Sequence, residues 1–464
     1  MLTQFARKNL ALCRVVYKNK MNIFQLSERK LSTMLPYQTL HDIVSLKDKE
    51  NLRSPSMSSS HIKRPIYMDY QATTPVDIRV LDAMMPFLTC MYGNPHSRTH
   101  SYGWEAEHYV EKARESVASL LNCESKEIIF TSGATESNNL AIKGLSWYFH
   151  QNKKKNHIIT TQIEHKCLLA SCRDIQERLN WDVTYLPVDR QGLVNLDQLR
   201  EAIRPTTAFV SIICVNNEIG VHQPMEAIGE ICQEHNILFH TDAAQACGKV
   251  PVDVKKCHID LLSLSGHKIY GPKGVGALYI QSKKPRIRLT PIISGGGQEK
   301  GLRSGTLPTP LIVGLGAACG LAEEEMSRDL RHISSLYEKL YQGLFSKVEK
   351  LQLNGSQSQR TKTNLNISFE AVEGESLIMS LEDIALSSGS ACTSASLEPS
   401  YVLRAIGVDE EVAHTSLRFG LGRFTTEEEI NLCINAIVKS VKKLRDMSPL
   451  WNIDSMSQQK PVWT

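Results

Sequence analysis

Short apolar runs alternate with longer stretches of helical periodicity from about residue 75 to residue 320. The runs have the length of strands, whereas the stretches between them repeat their apolar positions with the helical period. This alternation predicts βαβ units, and therefore a doubly wound, mostly parallel sheet of the α/β class. The predicted strands of this sheet cover residues 126–131, 158–161, 207–215, 237–242, 261–264 and 274–280.

The pattern changes after this region and indicates a second, smaller α+β domain. Residues 315–344 have the periodicity of one long helix, and residues 364–369 that of a strand. Residues 427–447 predict a closing amphipathic helix, and a chain of 464 residues is too long for a single hydrophobic core. The expected parts are an N-terminal arm over residues 61–76 that joins the small domain, a large domain over 77–326 and the small domain over 327–464.

The N-terminal region differs from the rest of the chain. Residues 1–27 contain no acidic residue, but they carry basic side chains interleaved with apolar ones. The basic residues are Arg7, Lys8, Arg14, Lys18 and Lys20. Such a segment is typical of a mitochondrial presequence, and the polar residues after it resemble a linker. We therefore leave residues 1–60 out of the fold. The alternative is a disordered tail without a targeting role.

Composition narrows the class of protein. Hydrophobic residues make up 42% and charged residues 22% of the chain, which is ordinary for a soluble protein, and the net charge of +4 is too small to indicate a nucleic-acid surface. No apolar run is long enough for a transmembrane helix. The 12 cysteines include no Cys-x-x-Cys pair, so neither a disulfide scaffold nor a zinc site is expected. Apart from Cys392, we expect them to be buried core residues in a reducing compartment.

Polar side chains follow five successive predicted strands. They are Thr135, His165, Asn217, Asp242 with Gln245, and His267 with Lys268. Several of them have an ordinary alternative: Thr135 or Ser132 can cap a helix, Asp242 can do the same, His165 can be an exposed loop histidine without a role, and Lys268 can be a solvated loop lysine. Ligands of open α/β sheets bind at the carboxyl ends of the strands, however, and five such coincidences are improbable. The set therefore predicts a ligand site at this edge.

A planar pyridine aldehyde with a phosphate would use all of these groups. Lys268 can form a Schiff base with the aldehyde, Asp242 can keep the ring nitrogen protonated, and Gln245 can bond the ring hydroxyl. His165 can lie over the ring, and the turn at residues 132–136 precedes a helix whose N-terminus favours an anion. The set predicts pyridoxal phosphate chemistry on an amino acid. A glycine-rich segment, residues 295–306, adds Arg303, Ser304 and Thr306 as further phosphate donors, although it is not a P-loop.

Several motifs together resemble the cysteine desulfurases, which are fold-type-I enzymes of the class V aminotransferase group. The resemblance covers roughly residues 65–450 and is greatest to the mitochondrial, animal-type enzymes of iron–sulfur cluster assembly. The motifs are SGHK at 265–268, TDAAQ at 241–245, VNNEIG at 215–220, SGATESNN at 132–139, RSGT at 303–306 and SSGSACTS at 387–394.

The resemblance implies a role for each matching residue. Lys268 would carry pyridoxal 5′-phosphate, with His165 stacked on the ring and moving protons, Asp242 on the ring nitrogen and Gln245 on the ring oxygen. Asn217 would contact cofactor and substrate, and Arg418 would hold the substrate carboxylate. The phosphate ligands would be Ala134, Thr135, Ser265, His267 and, from the neighbouring subunit, Thr306. This last contact implies a homodimer with shared sites.

The loop at residues 386–396 has almost no apolar bulk, so we expect it to be mobile and solvated. Cys392 lies in its middle, and the resemblance implies that its thiolate takes the sulfur of L-cysteine as a persulfide and leaves L-alanine. The sulfur would then go to an iron–sulfur scaffold and to other acceptors, such as thiolated tRNA and the molybdenum cofactor. No intrinsic metal site is expected, although Cys392 could transiently ligate a cluster shared with the scaffold.

The resemblance also implies partners and a location. The partners are the scaffold protein, frataxin and a small LYR-motif protein with acyl carrier protein, and the location is the mitochondrial matrix, with a minor cytosolic or nuclear pool allowed. Three alternatives remain open. A plain aminotransferase has no use for the cysteine loop, a selenocysteine lyase has similar parts, and a non-enzymatic scaffold would not need the intact set of Lys268, Asp242, His165 and Cys392.

Overall fold

The computed structural model describes residues 64–152, 155–282, 285–388, 399–448 and 451. The presequence predicted for residues 1–60 lies outside this part of the chain. None of the helices within it combines the length and the apolar character that a membrane span needs.

A seven-stranded sheet forms the centre of the large domain, and the prediction of a mostly parallel α/β sheet is confirmed. The strand order is β2-β8-β7-β6-β5-β3-β4, and every strand except β8 runs in the same direction. The strands are β2 Ile128–Thr131, β3 His157–Thr161, β4 Asp182–Leu186, β5 Thr207–Ser211, β6 Leu238–Asp242, β7 Leu261–Ser265 and β8 Gly276–Ile280.

Helices cover both faces of this sheet. One face packs against α1 Ile78–Thr89, α2 Ser101–Leu121 and α7 Thr309–Phe345, and the other against α3 Ala134–Asn152 and α4 Lys166–Leu179. Consecutive strand residues therefore face opposite cores, so both must be apolar. This explains the continuous apolar runs in the sequence. The two shorter helices of this domain are α5 Leu196–Ala202 and α6 Met225–Glu234.

The second domain is built on a four-stranded antiparallel sheet with the order β12-β13-β10-β9. Its strands are β9 Leu351–Leu353, β10 Asn364–Phe369, β12 Ser387–Ser388 and β13 Ser416–Gly420. The N-terminal strand β1, Ile66–Tyr67, pairs with β11, Ile384–Ala385, in the same region of the chain. The helices here are α8 Gly374–Met379, α9 Tyr401–Ala405, α10 Glu410–His414 and α11 Glu427–Met447.

Helix α7 links the two hydrophobic cores. Ile312 and Leu315 in its first half pack in the core of the large domain, whereas Leu336 and Leu340 in its second half pack with β10, β13 and α11. Because one continuous helix enters both cores, it limits relative movement of the two sets of elements.

One strand of the central sheet was missed, and one expectation from the sequence was wrong. The strand β4 was not predicted, because it is an edge strand whose Asp182 and Thr184 interrupt the apolar pattern. The expectation that the cysteines other than Cys392 are buried fails for Cys90, which is exposed at the end of α1. It also fails for the half-buried Cys123, Cys167 and Cys257. Cys123 and Cys257 lie in turns that pack against the core, and Cys167 is in the first turn of α4.

Candidate active site

The predicted site residues of the large domain lie at one edge of the sheet. Asp242 is the last residue of β6, and Lys268 ends a single 3₁₀ turn, Gly266–Lys268, that directly follows β7. His165 caps α4 just after β3, and Asn217 lies in the turn beyond β5. The carboxyl ends of neighbouring parallel strands therefore bring these groups to the same edge.

Lys268 and Gln245 converge on one oxygen atom. The amine of Lys268 donates to the carbonyl oxygen of Gln71, and Nε2 of Gln245 donates to the same oxygen at 3.0 Å. The Lys268 amine also lies 3.0 Å from the carbonyl oxygen of Ala72. An amine and an amide donor that share one small acceptor can equally serve two adjacent atoms of one flat ligand.

The Asp242 carboxylate is buried and held at both oxygens. Oδ2 accepts a hydrogen bond of 2.7 Å from Nδ2 of Asn138, and Oδ1 accepts one of 2.9 Å from the backbone N–H of Ala244. These two donors fix the plane of the carboxylate. The group can therefore present a negative charge to a protonated ring nitrogen.

His165 is oriented by the first turn of α4. Its Nδ1 accepts from the backbone N–H of Cys167 at 3.2 Å and lies 3.0 Å from the Cys167 sulfur. Burial, opposed by Asp242 but reinforced by the positive charge of Lys268, lowers the pKa of His165. The neutral imidazole is therefore favoured at pH 7, and its Nε2 can exchange a proton with a ligand.

The predicted phosphate ligands Ala134 and Thr135 form the N-terminus of α3. The helix begins at Ala134 and Thr135, where the first backbone N–H groups have no partner within the helix. Ser265 lies close by, since a Cβ atom added at Gly133 would be 3.8 Å from the Ser265 hydroxyl oxygen. Nδ1 of His267 lies 3.1 Å from the Thr73 hydroxyl, and burial together with nearby lysines lowers the pKa of His267 to about 4.

Arg418 approaches the site from the small domain. On β13, its Nη2 donates to Oδ1 of Asp69 at 2.8 Å and its Nη1 to the carbonyl oxygen of Asn217 at 3.1 Å. Within the described part of the chain, the buried Nε of Arg418 and the buried Oδ1 of Asn217 have no hydrogen-bond partner. Both atoms therefore have bonding capacity left for a ligand.

Thr306 is not brought into this cluster. Thr306 is exposed on the glycine-rich segment, consistent with its expected role in a neighbouring subunit. In the same segment, Arg303 pairs with Glu136 at 3.1 Å, and the Ser304 hydroxyl accepts from the backbone N–H of Gly297. Those side chains have protein partners, unlike the free phosphate donors that the sequence suggested. Cys392 lies outside the described residues.

Sequence reasoning missed four polar residues of the site. They are Asp69 and Gln71 in the N-terminal arm, Asn138 on α3 and Lys249 beyond β6. Asn138 is in the quoted SGATESNN motif, and its spacing of one helical turn from Thr135 was the available signal. For the other three, the sequence carries no local pattern that indicates the contact.

The set of groups suits pyridoxal phosphate. An amine, a buried carboxylate, an amide donor and a helix N-terminus match the aldehyde carbon, ring nitrogen, ring oxygen and phosphate of that molecule. The buried, unpaired Oδ1 of Asn217 is a further indication that a polar ligand belongs here, since buried polar atoms are rarely left without partners.

Comparison with known proteins agrees with this assignment. A family model described as "Aminotransferase class-V" matches residues 66–432. The chain is 59% identical over 401 residues to the Rickettsia bellii protein named "Cysteine desulfurase IscS", covering 86% of this chain and 97% of the relative. It is 57% identical over 405 residues to the Homo sapiens protein named "Cysteine desulfurase", covering 87% and 88%.

Solved structures give the same result. A chain titled "NIFS-LIKE PROTEIN" is 38% identical with a TM-score of 0.75, covering 82% of this chain and 100% of its own. A second, titled "SspA in complex with cysteine", is 42% identical with a TM-score of 0.69, covering 78% and 100%. The match to the family model and these long, highly similar relatives show that the chain belongs to the aminotransferase class-V family.

Proposed function

We propose that the protein is a cysteine desulfurase that uses pyridoxal 5′-phosphate to convert L-cysteine to L-alanine. The observation that carries this proposal is the convergence of Lys268 and Gln245 on one carbonyl oxygen, together with the buried Asp242 at the end of β6. The high identity to proteins named cysteine desulfurase supports the substrate.

The cofactor would supply an electron sink for negative charge that develops on the substrate. Lys268 would attach it covalently, Asp242 would hold the proton on its ring nitrogen, and Gln245 would donate to its ring oxygen. Neutral His165 would accept and return protons. The phosphate would lie at Ala134 and Thr135 on the N-terminus of α3, with Ser265 and His267.

Arg418 is the proposed partner of the substrate carboxylate. Asp69 and the Asn217 carbonyl hold two of its nitrogens, so the guanidinium is positioned before substrate binds. Its remaining N–H groups can form a charge-assisted grip on a carboxylate.

Cys392 is the proposed sulfur acceptor. Its thiolate would form a bond with the substrate sulfur while the carbon–sulfur bond breaks, leaving its electron pair on the substrate carbon, which a proton then converts to the methyl group of alanine. The net change is L-cysteine plus a thiol to L-alanine plus a persulfide. The sulfur would pass to a scaffold for iron–sulfur clusters and to other acceptors.

The chain on either side of Cys392 supports this role. Ser387 on β12 is the register partner of Arg418. On the other side, the Tyr401 hydroxyl donates to the carbonyl oxygen of Glu164 at 2.6 Å, next to His165. From Ser388, four residues reach Cys392 and span at most roughly 14 Å, so the chain is long enough for the proposed thiol to approach the proposed carboxylate site at Arg418.

A homodimer with shared sites is part of the proposal. An apolar stripe on α1 is exposed to solvent, and such stripes are typical of contacts between proteins. Its members are Ile78, Leu81, Met85 and Leu88. We propose that a second copy is seated here; the contact of Thr306 with the neighbouring site is implied by the resemblance alone. The variant Leu88→Glu should sediment as a monomer, whereas Leu432→Glu, at an exposed leucine on α11, should remain a dimer.

The remaining parts of the proposal concern the cell. The acid-free N-terminus supports import into the mitochondrial matrix. The partners there would be the iron–sulfur scaffold, frataxin and a LYR-motif protein with acyl carrier protein. Measuring where a fluorescent fusion of the full chain accumulates, with and without residues 1–60, tests the location.

The activity is tested by incubating the purified protein with L-cysteine and pyridoxal phosphate. Equal amounts of alanine and persulfide or sulfide should form. Lys268→Ala should lose both products and the yellow colour of the bound cofactor. Production of pyruvate and ammonia, or transfer of the amino group to a keto acid, would contradict the proposal and favour another class of pyridoxal enzyme.

A further inference from the structure

Lys249 is a buried lysine that contacts Gln245, a residue of the proposed cofactor site four positions before it in the chain. Only 8% of its surface is exposed, and its amine donates to Oε1 of Gln245 at 2.6 Å. In the described part of the chain, Gln245 is the hydrogen-bond partner of the Lys249 side chain. A buried lysine without a carboxylate partner is costly, so its presence needs a reason.

The local backbone explains how the contact forms. After β6 the chain turns helically, with the N–H groups of Cys247 and Lys249 bonded to the carbonyl oxygens of Ala243 and Ala246. Gln245 and Lys249 are therefore four residues apart on one side of this turn. The contact is built into the same element that carries Asp242 and Gln245.

The contact determines which end of the Gln245 amide faces the cofactor. The protonated amine of Lys249 has donors only, so it pairs with the amide oxygen of Gln245, at 2.6 Å, and not with the amide nitrogen. Nε2 is then left on the opposite side, where it donates to the Gln71 carbonyl oxygen. If the amide flipped, it would present an oxygen to the ring oxygen of the cofactor, and the two acceptors would repel each other.

The surroundings of Lys249 determine how much of its amine is charged near neutral pH. Burial, reinforced by Lys268 and Arg418, lowers the pKa of Lys249 to about 7. A donor bonded to the amide oxygen polarises the amide. The hydrogen bond that the amide N–H group donates on the other side is then stronger.

We propose that Lys249 is a positioning residue that acts through Gln245: it orients and polarises the amide that donates to the ring oxygen of pyridoxal phosphate. This inference rests on the proposed cofactor contact of Gln245. Lys249 itself touches neither cofactor nor substrate in this role.

The test compares cofactor affinity and the visible absorption band of the bound cofactor in four holoenzymes: wild type, Gln245→Ala, Lys249→Met and the double variant. Loss of one charge-assisted hydrogen bond should weaken cofactor binding on the order of tenfold in each single variant. The absorption band should shift in the same direction in both. In the Gln245→Ala background, Lys249→Met should change the affinity less than twofold, because its effect passes through the amide.

Three further variants separate this role from a structural one. Lys249→Arg keeps a donor and should restore the band if its melting temperature matches wild type. Gln245→Glu keeps a partner for Lys249 but has no N–H group, so it should bind cofactor as weakly as Gln245→Ala while remaining folded. Lys256→Met removes an exposed lysine nearby and should change nothing.

The outcomes are distinguishable. If the losses in the two single variants multiply in the double variant, Lys249 does not act through Gln245 and the inference is wrong. The same holds if Lys249→Met leaves the band unchanged while Gln245→Ala shifts it. If Gln245→Ala alone leaves both affinity and band unchanged, the proposed cofactor contact of Gln245 has failed, independently of Lys249.

Discussion

Replacing Arg418 by lysine keeps the positive charge at the proposed carboxylate site but removes the planar fork. The guanidinium now joins Asp69 at 2.8 Å and the Asn217 carbonyl at 3.1 Å, with N–H groups left for substrate. A lysine side chain ends in one nitrogen atom instead of a planar fork of three. Its amine therefore cannot bond to these two oxygens and also bind a carboxylate at two points.

The structure sets the size of the effect. The Arg418 side chain is 7% exposed and that of Asp69 is 17% exposed, so solvent screens the pair only partly. A hydrogen bond to a charged group contributes about 1.5–3 kcal/mol, and the variant loses at least one such bond to the substrate. Each 1.4 kcal/mol is tenfold, so the KM for L-cysteine should rise about 10- to 100-fold.

The assay follows alanine release over a range of L-cysteine concentrations, with cofactor content measured by absorbance in the same samples. Cofactor content should stay at the wild-type level, because Arg418 is not a proposed cofactor ligand. Arg328→Lys, at a half-exposed arginine on α7, serves as the control and should match wild type. A KM within twofold of wild type for Arg418→Lys would refute the assignment of Arg418 to the substrate carboxylate.

Two further predictions concern buried groups near the site. Asn138→Ala removes one of the two donors that hold the Asp242 carboxylate, so cofactor should dissociate about tenfold more readily on dialysis, and unchanged retention would contradict this. Burial raises the pKa of Glu164 to about 8 from an ordinary value of 4.5, so folding takes up a proton between these values and stability falls as pH rises through that window. In Glu164→Gln, the amide oxygen can keep the bonds from Thr161 and the Ile213 N–H, so its melting temperature relative to wild type should be higher at pH 8 than at pH 5. A difference that does not change with pH would contradict the second prediction.

The sequence predicted the sheet and most of the site because one physical cause produces both signals. Burial on two faces makes the central strands continuously apolar. The polar residues that follow these parallel strands must then lie together at the carboxyl ends of the strands. This identified His165, Asp242 and Lys268 as neighbours. The edge strand β4 lacked that signal, since Asp182 and Thr184 need not be buried.

Contacts between distant segments could not be predicted in this way. Asp69 and Gln71 reach the site because the N-terminal arm crosses it, and nothing in their local pattern specifies Arg418 or Lys268 as partners. The Asn138–Asp242 bond joins residues 104 positions apart. Such pairs depend on the tertiary arrangement of elements rather than on periodicity.

The measurement that tests the account most directly is mass spectrometry of the protein after brief exposure to L-cysteine and pyridoxal phosphate. The peptide that contains Cys392 should gain the mass of one sulfur atom, in step with alanine released, and the gain should disappear in Lys268→Ala. Sulfur that accumulates on another cysteine such as Cys167, or on Cys392 without functional Lys268, would contradict it.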